Sequence, residues 1–173
     1  IIKGASSSLY GNEALGGVIN IITENPKNGF KGDANYRGGS FGTHDISTNI
    51  IYKKNKLGVS AFVNRYSSNG YDLVDTDATN TVEPFSNYTL NSKITYDFSE
   101  NTKLLVSGRF YHQNQDNVAS ETLKGESEIN EWNTLLKLDH KFNDSWSSYL
   151  EFYATQYKAE EFLNDAIGDS FFQ

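Results

Sequence analysis

The chain has 173 residues, a formal net charge of -7, and neither cysteine nor methionine. An acidic balance with a pI of about 4.9 argues against a polyphosphate partner such as nucleic acid, and the missing cysteine excludes disulfides and thiolate metal sites. Apolar residues are only 37% of the chain and aromatics 14%, which suits a wall apolar on one face and wet on the other better than a soluble core.

No apolar run approaches the ~20 residues of a spanning helix, which leaves a barrel open. The chain is read as a piece of a longer protein. Val18-Ile19-Asn20-Ile21-Ile22 reads as a short buried strand, and Glu24-Asn25-Pro26-Lys27-Asn28-Gly29 as a linker, because proline blocks ladder bonding and Asn-Gly favours a turn.

From Phe30 onward the apolar period is two, the mark of half-buried strands. The first candidate strand runs from Phe30 to Gly38, with Phe30, Gly32, Ala34 and Tyr36 on one face; Gly39-Ser40-Phe41-Gly42 turns back. The second runs from Thr43 to Tyr52 and aligns Ile46, Ile50 and Tyr52; Lys53-Lys54-Asn55-Lys56 is a polar turn. The third, Leu57 to Tyr66, aligns Leu57, Val59, Ala61 and Val63, and residues 67–86 form a long polar excursion.

The fourth strand, Asn87 to Phe98, alternates most cleanly, and Ser99-Glu100-Asn101-Thr102 turns it into a fifth, Lys103 to His112. Residues 113–129 read as a second polar excursion. The sixth strand runs from Asn130 to Phe142, and Asn143-Asp144-Ser145 turns into a seventh that aligns Trp146, Leu150, Phe152 and Ala154. A third excursion is expected from Lys158.

After the first hairpin the connections alternate short and long, the outer-membrane barrel pattern of short periplasmic turns and long outer loops. Strands of ~10 residues cross a bilayer when tilted. Aromatics gather near strand ends: Phe30, Tyr52, Phe98, Phe142 and Trp146 by the linker or short turns, and Tyr66, Tyr88, Phe110 and Trp132 by the long ones. The resulting expectation is that even-numbered side chains from Phe30 to Phe152 touch hydrocarbon while odd-numbered ones line a sealed interior. Asp33, Asn35, Arg37, Asn49, Asn91, Lys93, Lys103, Arg109, Lys137, Asp139 and Glu151 would then face inward.

The opening segment carries the most specific signal. A Lys3-Gly4 step, a run of small residues, Leu9-Tyr10-Gly11, and Ala14-Leu15-Gly16-Gly17-Val18-Ile19-Asn20-Ile21-Ile22-Thr23 together resemble the end of the plug domain of TonB-dependent outer-membrane receptors. Gly39-Ser40-Phe41-Gly42-Thr43 and Ser68-Asn69-Gly70-Tyr71-Asp72 are similar to stretches of the cobalamin and haem branches of that family. The family more often has arginine at the position of Lys3, and Ala5 stands where proline is common. The resemblance implies an all-β chain: residues 1–25 as the C-terminal end of a plug domain, and 26–173 as about seven strands of a larger antiparallel transmembrane β-barrel. It implies a bacterial outer-membrane location and import of a scarce nutrient such as a ferric siderophore, haem or cobalamin. The implied partners are TonB, acting through an upstream segment, outer-membrane lipid, the small nutrient ligand and a surface lipoprotein. The alternatives are a passive porin or adhesin-type barrel and a soluble carbohydrate-binding β-sandwich.

Candidate site residues follow from the same placement. Tyr71, Asp72 and His112 would lie in outer loops as ligand contacts, since a haem receptor could use an outer histidine as an axial ligand. Asp72, Asp75 and Asp77 place oxygen ligands at a spacing that can hold calcium, and calcium-ordered loops occur in the cobalamin branch. His44, His112 and His140 are the three histidines, and no pair has metal-ligand spacing. Neither phosphate-cradling glycine motif is present, and no Ser/His/Asp arrangement or nucleophile elbow is found. An enzyme is not expected.

Overall fold

A computed structural model describes residues 2–3, 17–18, 26–74, 80–118, 123–165 and 170–172. The strands are β1 (Ile2–Lys3), β2 (Gly17–Val18), β3 (Gly29–Gly39), β4 (Thr43–Lys54), β5 (Leu57–Ser68), β6 (Phe85–Asp97), β7 (Thr102–Val118), β8 (Leu123–Lys141), β9 (Ser147–Asp165) and β10 (Ser170–Phe172). β1 and β2 pair antiparallel on their own. β3 to β10 form one antiparallel sheet in chain order, open at both edges, and no helix occurs among the described residues. The all-β expectation and its seven long strands agree with this meander. Of the strand expected over Val18–Ile22, only its first residue lies within the described residues.

Turn chemistry explains the hairpins. Between β3 and β4 the Thr43 amide donates to the Ser40 carbonyl at 3.2 Å. Phe41 and Gly42 sit at φ 60° and 61°, the primed-turn geometry whose twist matches that of paired strands. Between β4 and β5 only Asn55 and Lys56 intervene, with Asn55 at φ 54°; asparagine tolerates that left-handed conformation better than most side chains.

The two-residue turn overturns the simple parity expectation. An even number of residues between paired positions swaps odd for even, and Lys54 pairs with Leu57. Leu57, Val59, Ala61 and Val63, all odd, therefore share a face with the even residues of β4 and β6, as Tyr52–Val59–Ile94 shows. The connection between Ser68 and Phe85 swaps the parity back. Even residues thus mark the apolar face on every long strand except β5. Tyr66 consequently leaves the expected aromatic border and lies on the polar face against Phe85, with ring centroids 5.1 Å apart.

Two expected excursions are strand. β7 and β8 stay paired out to Val118 opposite Lys124, and β9 runs past Lys158 to Asp165. The connection from β7 to β8 shrinks to positions 119–122. Gln113, Asn114, Gln115, Asp116 and Asn117 are polar on both faces, so alternation gives no sign of strand there. The backbone ladder needs no apolar face to continue.

The apolar band crosses the sheet obliquely. Tyr36, Ile46, Arg65, Tyr88, His112, Asn130 and Lys158 form one line of directly opposed residues from β3 to β9. Below that line the aromatic border lies six residues away at Phe30 and Tyr52, ten at Phe98, and twelve at Phe142 and Trp146. The border thus drifts by about one residue per strand, or about 3.3 Å along the strands for every 4.8 Å across them, an inclination of about 35°.

Large apolar side chains on this band stay exposed, with Leu136 at 44%, Trp132 at 54% and Phe152 at 62%. Among the described residues no large side chain is fully buried. The sheet thus has no core of its own on either face. A contiguous apolar surface of this extent is a surface for another medium or another element.

The chain enters β3 from the polar side. Pro26 is buried, and Gly58, which shares the polar face with Lys53 and Thr95, lies under it. A Cβ at Gly58 would stand 3.2 Å from Pro26 Cβ and 2.5 Å from Thr95 Oγ1. Pro26 therefore lies over the polar face, at the end where the short turns lie.

Candidate functional site

The polar face holds a cross-strand hydrogen-bond network. At its long-loop end the Arg37 guanidinium grips the Asp45 carboxylate, directly opposite on β4. Asn64 of β5 donates to Asp45 Oδ1 at 2.6 Å and to the Ile46 carbonyl at 3.1 Å. Asn49 donates to Asp33 Oδ1 at 3.2 Å one level lower. Arg37, Asp45 and Asn64, with Thr43, Phe62 and Tyr66, border an open hollow of about 660 Å³. Its chemistry is a fixed charge pair, amide and hydroxyl donors, and two aromatic walls, a set able to hold a polar organic molecule by hydrogen bonding and ring contact.

A second cluster spans β7 to β9. Arg109 and Glu131 pair at 2.7 Å, Asn133 donates to Glu131 at 2.7 Å, and Asn133 Oδ1 accepts from Tyr153 at 2.7 Å and Thr155 at 2.9 Å. Lys53 and Asp97 close at 3.0 Å, as do Lys137 and Asp139. Such partly exposed pairs each contribute little to stability. Their effect is to fix a wet wall whose charges mostly cancel. The residues expected to face inward do share this face, since Asp33 opposes Asn49 and Arg109 opposes Asn91.

At the long-loop end a clasp joins the two stretches that the sequence singled out. The Asn69 amide donates to the Phe41 carbonyl at 2.9 Å, and the Phe41 ring lies 4.9 Å from that of Tyr71. Tyr71 and Val82 exchange backbone hydrogen bonds at 2.9 and 3.0 Å, and the Asp116 amide of β7 reaches the Pro84 carbonyl at 3.0 Å. The connection from β5 to β6 is therefore tied at one end to the β3–β4 turn and at the other to β7.

Of the expected ligand contacts, Tyr71 and Asp72 lie in this clasp and His112 does not. Asp72 accepts from the Val74 amide at 3.0 Å and from Thr81 Oγ1 at 3.1 Å, which occupies its carboxylate within the loop. His112 stands on the apolar face between Tyr88 and Phe110, each ring centroid 6.4 Å away, with Nδ1 2.9 Å from Asn130 Oδ1. His44 and His140 share that face; Tyr36 and Thr102 each bring a hydroxyl to 2.9 Å of their Nδ1. Asp75 and Asp77 lie outside the described residues, and among those described no group of three carboxylate, histidine or cysteine side chains could hold a metal.

The amide of Val74, and the Thr81 hydroxyl, stabilise the charged form of Asp72 and hold its carboxyl below the usual carboxylate range. A lowered pKa in the folded loop means stability that is complete above the range where a free aspartate titrates, and lost as pH falls through the folded value. Exchange of the Val74 amide with solvent is therefore expected to quicken in strong acid and to be pH-independent, apart from intrinsic exchange, in Asp72→Ala. Amide exchange read by NMR or mass spectrometry checks this.

The hollow bordered by Arg37, Asp45, Asn64 and Tyr66 is absent from the sequence expectations as a site, although Arg37 was expected to face inward. Its only sequence signal is that Arg37 and Asp45 lie equally far from the centre of the β3–β4 turn. No protein-family model matches the chain.

Proposed function

We propose that the sheet is a sector of a transmembrane β-barrel and that the protein is a TonB-dependent outer-membrane receptor importing a scarce nutrient. The observation that carries the membrane part is the oblique aromatic border. Its inclination of about 35° falls at the strand tilt of outer-membrane barrels. Tyr88 to Phe98, one residue past β6, and Trp132 to Phe142, one residue past β8, both span ten residues, about 33 Å along the strand and about 27 Å along a normal so inclined, close to the apolar height of such barrels. A soluble sandwich has no reason to set aromatics at two borders, and it would need a second sheet over a face that stays bare among the described residues.

Two features support a plugged import barrel over a passive pore. The polar face is a charge-paired wall rather than a single-sign one, which suits packing against a polar body inside. Pro26, which follows the stretch whose sequence resembles a plug end, lies over that face against Gly58. The clasp and the hollow beside it lie at the opposite end, where a nutrient would first meet the protein.

Growth of a strain lacking the protein tests this. With a ferric siderophore, haem or cobalamin as the sole source, growth is expected to fail on one of them and recover on complementation. Normal growth on all three, together with open-channel conductance of the purified protein in a planar bilayer, would replace the reading with a passive barrel.

A further inference from the structure

We propose that the apolar face of β4 to β6 binds the phosphate of a membrane lipid at the long-loop border, with Arg65 as the principal contact; this rests on the membrane reading above. Arg65 is exposed and stands between Ile46 and Tyr88 in the line of opposed residues. On the polar face Arg37, Lys53, Arg109 and Lys137 each meet a carboxylate. Arg65 lies instead over the Tyr88 ring at 5.5 Å, and no described carboxylate comes within ion-pair distance of it.

The surroundings favour an anion. The apolar-face residues of β4 run His44, Ile46, Thr48, Ile50, Tyr52 and Lys54; those of β5 and β6 add Arg65, Ser67, Ser86 and Tyr88 at the upper end. Across these three strands that face carries basic groups and no carboxylate. His44 opposes Ser67 and Ser67 opposes Ser86, so a ring nitrogen and two hydroxyls sit one level above Arg65 and Tyr88. Directly opposed and diagonal neighbours of this kind lie within side-chain reach of one another.

Below the patch come Val63 and Leu90, which would meet acyl chains. A guanidinium at that boundary reaches up along its own stem to the headgroup level and binds phosphate with charge-assisted, forked hydrogen bonds. The acidic residues of this face, Asp116, Glu126, Glu128 and Glu160, are confined to β7, β8 and β9. The phosphate site is therefore specific to β4–β6 rather than general to the apolar face of this sheet.

The test uses the whole protein in detergent, titrated with phosphatidic acid and with phosphatidylcholine of the same acyl chains, and bound lipids counted by native mass spectrometry. Phosphatidic acid is expected to be retained over phosphatidylcholine. Arg65→Gln should weaken that retention about fivefold, as for loss of one basic contact at a lipid surface, while Arg65→Lys keeps most of it and millimolar inorganic phosphate fails to displace the lipid. Equal retention by the wild type and Arg65→Gln, with both variants folded by heat-modifiable mobility, overturns the proposal, and so does displacement by inorganic phosphate. A protein that stays soluble and monomeric without detergent strikes down the membrane reading itself, a different result from unchanged lipid binding by an inserted barrel.

Discussion

On the proposed membrane reading, arginine in place of Leu136 is expected to destabilise the folded protein in lipid by about 2–4 kcal/mol, the cost of a cation at the bilayer midplane of a barrel. Leu136 lies on β8 between Trp132 and Phe142, opposite Val106 and Phe152, and a guanidinium there has no short route to either border. Leu90→Arg should cost less, because Leu90 is two residues below Tyr88 and the new cation can reach the headgroups. Asn91→Arg, one residue along and on the opposite face, should cost far less than Leu136→Arg, since that face is polar and the like charge of Arg109 directly opposite adds only a repulsion of a few tenths to about 1 kcal/mol. Reversible unfolding in urea from lipid vesicles, followed by tryptophan fluorescence, gives the three values. Equal costs at Leu136 and Asn91 would contradict the assignment of the two faces.

The second large effect is expected at Gly70. Its φ of 71° places it in the left-handed region, where a side chain costs about 1–2 kcal/mol. A Cβ there would also fall inside contact distance of the Val82 carbonyl oxygen and stand 2.8 Å from the Pro84 nitrogen. Both neighbours are backbone, so neither can rotate aside. With overpacking adding about 1–3 kcal/mol, Gly70→Val should cost roughly 3 kcal/mol locally and release the Tyr71–Val82 bridge. Limited proteolysis is expected to cut within residues 69–84 in the variant and not in the wild type, while strand content by circular dichroism stays unchanged. On the proposed function, loss of nutrient capture with strand content unchanged would place the clasp in ligand recognition; retained capture would confine it to loop order.

The strands were legible wherever one face is apolar. Tyr88, Leu90, Ile94 and Tyr96 gave β6 nearly to its ends, because each side chain on that parity has the same surroundings. Alternation went silent at Gln113–Asn117 and past Lys158, where both faces are polar and only the ladder keeps the strand. The error at β5 had another origin. Leu57, Val59, Ala61 and Val63 were correctly grouped, but the link between that group and the even residues elsewhere depends on Lys54 pairing with Leu57, a register that the turn sets and hydropathy does not.

The site was less legible than the fold. Tyr71 and Asp72 were placed in the right loop, yet the partner of Tyr71 is Phe41, thirty residues earlier, at the tip of another hairpin. Even parity already put His112 on the apolar face; what the sequence missed is that β7 runs on past it, so that it lies within a strand and not in an outer loop. His112 takes its face from pairing with Tyr88 and Asn130, and that face is the one lined by Phe110 and Trp132. The hollow beside Arg37 needed three strands in register to exist at all, since Arg37, Asp45 and Asn64 come from β3, β4 and β5 in turn.

The two-residue turn at Asn55-Lys56 sets where this gene can tolerate changes of length. One codon gained there would leave every later residue in frame, yet β5 would have to rotate by half a turn or bulge, presenting Ser60 and Asn64 to lipid. The connection between Ser68 and Phe85 counts sixteen positions and is not a two-residue turn, so the same codon there does not by itself force a strand to rotate. Natural length variation, and any epitope tag introduced for surface labelling, should therefore accumulate in that second connection and be purged from the first.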